Sequence, residues 1–228
     1  MVLKIIGSSH IAEQSVREIK KAVEEFKPDI IALELDAQRA LALSQKEQTS
    51  RISLAQIRQI GVKGYLFAKI GQYAQQKLGH SVGVAPGSEM KTAMDLAAKQ
   101  KTTIAFIDQP IQITLRNFSK RLTWKEKFRF LGDIFNGIFR SKKQAEKWGI
   151  VTFDLRAVPD ADVIELLIEQ LRKRYPSVYK TLIDDRNRYM VKQLVKLIRK
   201  DPEKKILAVV GAGHVKGMNE ILLKVDVL

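Results

Sequence analysis

The stretch VLKIIGSSHIAEQSVREIKKAVEEFKPDIIALEL, residues 2–35, decides the fold. It opens with a short apolar run, 2–7, that ends in glycine and reads as a buried strand. Ala12, Val16, Ile19, Val23 and Phe26 then recur at helical spacing, which predicts a helix over roughly 12–26. Pro28 ends it, because proline supplies no backbone N–H and clashes with the preceding turn. The apolar run 29–35 is a second strand. Strand, helix and strand in this order form a βαβ unit, and a crossover of that kind makes its two strands parallel.

Working outward, TTIAFID at 102–108 is a third strand and KKILAVVG at 204–211 a last one. Residues 37–79 read as mixed helix broken near Gly61 and Gly64, and His80 falls in a loop. A helix is expected over 89–100 with Ser88 as its N-cap, and another near Val215. Between the third and last strands the spacing predicts helices over 124–140, about 160–174, and 177–200 with a break near Asp184. The expected architecture is α/β: a central parallel-rich mixed sheet covered by helices, with a long basic helical insertion, about 118–203, before the last strand. The 228 residues form a single domain on this reading.

The formal charge of +15 is concentrated. Residues 116–148 hold ten Lys/Arg against three Asp/Glu, and residues 172–205 hold twelve against four. These segments are either solvated helical surface or a face for phosphates, anionic lipid or an acidic peptide. WKEKFRFLGDIFNGIFRSKK, 124–143, sets aromatic residues among Lys and Arg. It reads either as a core helix of the insertion or as a helix for a membrane surface or another protein. No nucleic-acid-binding motif accompanies the charge, so nucleic acid is not an expected partner. The chain has no cysteine, which excludes disulfides, thiolate metal sites and a cysteine nucleophile. There is no signal-peptide pattern and no apolar run of membrane-spanning length. A cytoplasmic or membrane-associated location is expected, and a homo-oligomer is compatible with the sequence.

Ligands of open α/β sheets bind outside the carboxyl ends of the strands. Gly7 and His10 follow the first strand, Glu34 and Asp36 stand at the end of the second, Asp108 at the end of the third, and Gly211, Gly213 and His214 after the last. Two of the three histidines thus sit in apolar-run–G-x-x-H settings at opposite ends of the chain. If the first and last strands are close in the sheet, His10 and His214 converge. Two imidazoles with carboxylates make a site for a divalent metal such as Mn²⁺, Fe²⁺, Co²⁺ or Zn²⁺, and a hydrogen-bonded helix-start histidine is the structural alternative. Glu34 lies in an apolar strand and is costly if buried unpaired, so it calls for a metal, an arginine or a salt bridge to Arg39. Glu89 is at a helix start, where the macrodipole favours a carboxylate with or without a function as ligand or base. Arg116 and Arg186 are arginines suited to a carbonyl or a carboxylate, whereas Arg188, Lys192 and Arg199 share a face expected to meet solvent.

GSSHIAEQS, PDIIALELDAQR, PGSEMKTA, IDQPIQITLRN, DDRNRYM and VVGAGHVKGM, in this order, resemble the TraB/PrgY/GumN family, to which the Tiki proteases belong; the resemblance runs from about residue 4 to 222. It implies a metal-dependent peptidase of the Tiki type, supported by Mn²⁺ or Co²⁺ and acting on a peptide or protein substrate. His10, Glu34 and His214 are its implied metal ligands, and Glu89, Arg116, Arg186 and Asn187 the implied catalytic and supporting residues. PrgY-like members imply the alternative, a protein that captures a peptide pheromone without established turnover, and the wider superfamily includes haem-binding and esterase-like relatives. Two positions depart from the family pattern: Gln109 follows Asp108 where arginine is common, and Asp185 precedes Arg186 where glutamate is usual. Many microbial members continue into a hydrophobic C-terminal region, which implies a membrane-anchored parent or an excised soluble domain.

Overall fold

A computed structural model describes residues 2–8, 13–44, 87–139 and 161–225, without the side chains of 13, 131, 134–139 and 161. His10, His80 and most of the stretch expected to be mixed helix lie outside the described residues. The described strands are β1 (Leu3–Ser8), β2 (Ile30–Leu33), β3 (Thr103–Phe106) and β4 (Ile206–Gly211). They form one sheet in the order β1-β4-β2-β3, and every pairing is parallel. The first and last strands are therefore neighbours, with Ser8 opposite Gly211 at the carboxyl edge.

The burial of each strand follows its place. The central strands β2 and β4 are buried along their whole length, as continuous apolar runs flanked on both faces must be. β3, at an edge, is half exposed. Side chains alternate across the sheet. Ile30, Ala32, Ile206, Ala208 and Val210 point to one core, while Ile31, Leu33, Leu207 and Val209 point to the other.

The second of these cores is closed by α1 (Glu13–Phe26), α2 (Ala37–Ser44) and α3 (Ser88–Gln100). Ile19, Val23, Ala93 and Ala97 carry that packing at helical spacing. The expected Ser88 N-cap is not formed. Gly87 occupies the cap position with φ 82, a left-handed conformation that favours glycine, and Ser88 is the first helical residue.

After β3 come α4 (Ile111–Arg121), α5 (Trp124–Phe139), α6 (Ala161–Arg174) and α7 (Pro176–Tyr179). A π turn (Lys180–Asp184) leads directly into α8 (Asp185–Lys200), where the sequence signals a break. The final helix, α9 (Ala212–Leu222), starts three residues earlier than expected, immediately after β4. Met190, Leu194 and Ile198 of α8, with Met218 and Leu222 of α9, close the first core. Among the described residues no helix is long and apolar enough to cross a membrane.

α5 is attached through polar groups. Thr123 and Glu126 form a capping box: Thr123 N donates to Glu126 Oε2 at 3.1 Å, and Glu126 N donates to Thr123 Oγ1 at 3.2 Å. The same carboxylate accepts Ser177 N at 2.7 Å, so it also caps the start of α7. Burial raises the Glu126 pKa, but the hydrogen bonds from Ser177 and Thr123 outweigh it and hold the group below the usual carboxylate range. Two turns further on, Asp133 accepts Arg174 Nε at 2.7 Å and also the Tyr175 hydroxyl. Burial and the neighbouring Asp133 carboxylate push the Tyr175 phenol up to about 12.

Two outcomes are expected. A Cβ on Gly7 would lie 2.9 Å from the Ala212 Cα, where β1 meets the start of α9. Gly7→Ala should therefore lower stability by about 1–3 kcal/mol, read as a lower urea midpoint at unchanged slope. Tyr175 keeps its proton more tightly folded than unfolded, so its contribution is complete below pH 10.0 and is lost as pH rises to about 12. The stability advantage of wild type over Tyr175→Phe should be constant below that window and shrink across it in alkaline unfolding curves.

Candidate functional site

Strand alternation puts Glu34 on the face of Ile30 and Ala32, toward α8 and α9. It is 2% exposed, one residue past β2, with its own N–H still bonded to Val209 O at 3.1 Å. A buried carboxylate needs donors and a counter-charge. Gly211 N donates to Oε2, and Arg186 Nη2 donates to Oε1. Arg39, the candidate partner nearest in sequence, pairs instead with Asp108 Oδ2 at 3.0 Å.

Arg186 is the hub. Its Nε donates to Asp108 Oδ1 at 3.1 Å, and Nη2 donates to Asp108 Oδ2 at 2.8 Å as well as to Glu34. Nη1 meets the Leu182 carbonyl at 3.3 Å and His214 Nε2 at 3.1 Å. A guanidinium has five N–H donors, and these contacts engage all five. Burial pulls the Arg186 pKa down; the Glu34 and Asp108 carboxylates pull it up and prevail, so the charge is permanent. The π turn prepares this geometry. One extra residue per turn rotates the later helix face by about 100° relative to the earlier one, and Arg186 and Asn187 follow it directly.

His214 is 4% exposed in the first turn of α9. Because Arg186 can only donate, His214 Nε2 accepts, and the ring is neutral with its proton on Nδ1. That proton faces Asn187 Oδ1 at 2.6 Å. The amide is fixed in turn by close packing: a Cβ on Gly217 would lie 2.3 Å from Asn187 Nδ2. The Nε2 lone pair thus points at the Arg186–Glu34 junction, with Glu34 Oε1 3.4 Å away.

The structure brings Glu34, Arg186, Asn187 and His214 together. Glu89 stands at the same carboxyl edge but on the opposite layer, since α3 runs back into β3; it is 1% exposed in the first turn of that helix. Arg116 lies on the exposed side of α4 and is not among the groups around Arg186. His10 is outside the described residues, two positions beyond Ser8. Asp36 is structural: Oδ1 caps α2 through Gln38 N at 2.9 Å and Arg39 N at 3.0 Å, and Oδ2 takes Ile111 N at 3.3 Å. Among the described residues, no three His, Cys, Asp or Glu side chains gather as a metal-holding group.

Sequence reasoning left Asp108 and Arg39 outside the core of the site. Asp108 carried a signal, since a carboxylate directly after an apolar strand must find a cation. Of the two departures from the family pattern, Gln109 turns to Thr114 Oγ1 at 2.7 Å, and Asp185 pairs with Arg121, away from the cluster.

The TraB/PrgY/gumN family profile matches residues 3–225. The chain is 32% identical over 224 residues to an uncharacterized protein of Methanocaldococcus jannaschii, covering 97% of this chain and 53% of that protein. TraB domain-containing proteins of Bos taurus and Homo sapiens are 24% and 23% identical over 243 residues, covering 95% of this chain and 61% of each. The chain spans only about half to three fifths of the length of these relatives. A mutant erythromycin esterase in an open conformation aligns with 92% of this chain and 60% of its own, at 16% identity and a TM-score of 0.36. A superposition that loose carries no argument about fold or chemistry.

Arg186→Ala would leave Glu34 and Asp108 buried without their shared cation. It is expected to cost about 3–5 kcal/mol in denaturant unfolding, far more than Arg188→Ala on the exposed face of the same helix.

Proposed function

The chain belongs to the TraB/PrgY/gumN family, and from that premise we propose that it is a metal-dependent hydrolase, with peptide bonds as its target class. The carrying observation is the pairing of His214 Nε2 with Glu34 Oε1 at 3.4 Å, at the carboxyl edge of a parallel sheet. Donors that each sit about 2.0–2.2 Å from one ion lie roughly 3 Å apart, so this imidazole and carboxylate fit one coordination shell. Nitrogen and oxygen donors suit Mn²⁺, Fe²⁺, Co²⁺ or Zn²⁺, and of these the family resemblance favours Mn²⁺ or Co²⁺. His10 is the third ligand of this reading.

A bound divalent ion supplies Lewis-acid polarisation of a carbonyl and acidification of water. The chain's own groups do the rest. Asn187 keeps the Nε2 lone pair of His214 directed inward by holding the Nδ1 proton. Glu34 is oriented by the Gly211 amide and Arg186. Glu89, at the same carboxyl edge but on the opposite layer, would take the proton as general base. Arg186 must release an N–H to reach a developing oxyanion, since its donors are engaged in the resting site. Arg116, on the exposed side of α4, would hold a more distant part of the substrate, such as a peptide carboxylate.

A second reading is capture of a peptide or another small ligand without turnover, the PrgY-type alternative. It is favoured by the charge balance of the described cluster, in which two guanidiniums already match two carboxylates without an ion.

Peptide digests with added Mn²⁺ or Co²⁺ separate the readings. The hydrolase reading expects cleavage that falls about a hundredfold or more in His214→Ala and in His10→Ala. Full activity in either variant discards it. Tight peptide binding by calorimetry, with no product in mass spectra after long incubation with metal, selects capture.

A further inference from the structure

A helix on a globular protein normally turns its apolar stripe inward. α5 does the reverse over its described side chains. The groups turned to the rest of the protein include Glu126, Arg129 and Asp133, which bond Ser177, the Arg174 carbonyl and the Arg174 side chain, and Phe130, whose ring meets that of Tyr175 edge-on at 6.4 Å. Glu126 is 3% exposed, whereas Trp124 and Phe128 are 70% and 68% exposed. Those two rings are one helical turn apart with centroids 6.2 Å from each other, and Lys127 Nζ lies 3.7 Å over the indole. In sequence, Leu131 and Phe135 continue the same stripe at helical spacing.

The surroundings are cationic. Residues 116–133 hold six Lys/Arg and two acids, and both acids, Glu126 and Asp133, are already engaged by the packed side of the helix. Lys120 and Lys125 are exposed, four residues before and one residue after Trp124 in the sequence. We propose that Trp124 and Phe128, with Lys120, Lys125 and Lys127 around them, form a docking surface for an anionic lipid bilayer, with α5 lying in the plane of the headgroups.

Charge selects this occupant. Two exposed rings on a cationic helix enter a headgroup layer without needing shape complementarity. Indole and phenyl groups place their apolar bodies at the acyl boundary while flexible lysine stems keep their ammonium groups at the phosphates. The polar packed face holds α5 to α6 and α7 through Glu126, Arg129 and Asp133, so these contacts can persist when the exposed rings meet lipid. The inference is independent of the hydrolase reading, since it uses no residue of the Arg186 cluster.

The test is sedimentation with vesicles of phosphatidylcholine mixed with phosphatidylglycerol, against vesicles of phosphatidylcholine alone. The protein should pellet with the anionic vesicles at low ionic strength and be released by salt. In a Trp148→Phe background, Trp124 emission should shift to the blue and be quenched by lipids brominated near the headgroup. Trp124→Ser/Phe128→Ser should keep its circular dichroism and lose partitioning by about tenfold or more. Lys120→Glu/Lys125→Glu should lose the preference for anionic vesicles. Absence of pelleting with anionic vesicles at low salt overturns the proposal, as does unchanged pelleting of the Trp124→Ser/Phe128→Ser variant. A dimer that this variant makes monomeric, without lipid binding by the wild type, also overturns it and assigns the surface to a second copy.

Discussion

One guanidinium registers the carboxyl edge of this sheet. Glu34 follows β2, Asp108 follows β3 and His214 follows β4, and Arg186 of α8 touches all three. Each carboxylate is nearly inaccessible to water. Taken alone, either would be an intolerable charge in that position. Together with Arg186, and with Arg39 on the outer side of Asp108, they form a neutral and fully hydrogen-bonded set. A lysine cannot replace Arg186, since an ammonium has three donors on a single atom and no planar fork with which to span three strand ends.

This arrangement divides labour between the two halves of α8. Its exposed side carries Arg188, Lys192 and Arg199 into solvent, while Met190, Leu194 and Ile198 seal the core. Only its first turn, released by the π turn, contributes polar groups to the interior. Arg186 sets the charge there and Asn187 sets the histidine's tautomer. The two neighbours thus control different properties of the same imidazole, one through each ring nitrogen.

Much of this was legible in the sequence, for identifiable reasons. Buried parallel strands read as apolar runs, so β1, β2, β3 and β4 were found to within a residue or two, and the adjacency of the first and last was the expected condition for a site. Glu34 stood out because an acid in such a run is expensive. Its partner did not stand out: Arg39 is five positions away, whereas Arg186 is 152 positions away and is delivered only by tertiary packing. The cap of α3 was misplaced because Ser88 has the right chemistry, yet the chain needed the left-handed φ that Gly87 supplies. For α5 the period was visible, but not which side faced inward. A reading by hydropathy buries the aromatics. The capping carboxylate at Glu126, whose second oxygen takes an amide of another helix, decides the opposite.

The strand order also dictates when the protein can take shape. β4 lies between β1 and β2, so among the described strands it is the one that joins the N-terminal strand to the rest of the sheet. The pairing of Leu3 with Ile206 brings together residues about two hundred positions apart. Such a closure is slow and entropically costly, and it waits until β4 has been synthesised. His214 arrives with that final strand. The charged cluster is therefore complete only once residues 206–214 have been synthesised and have packed, and until then Glu34 and Asp108 stay in water.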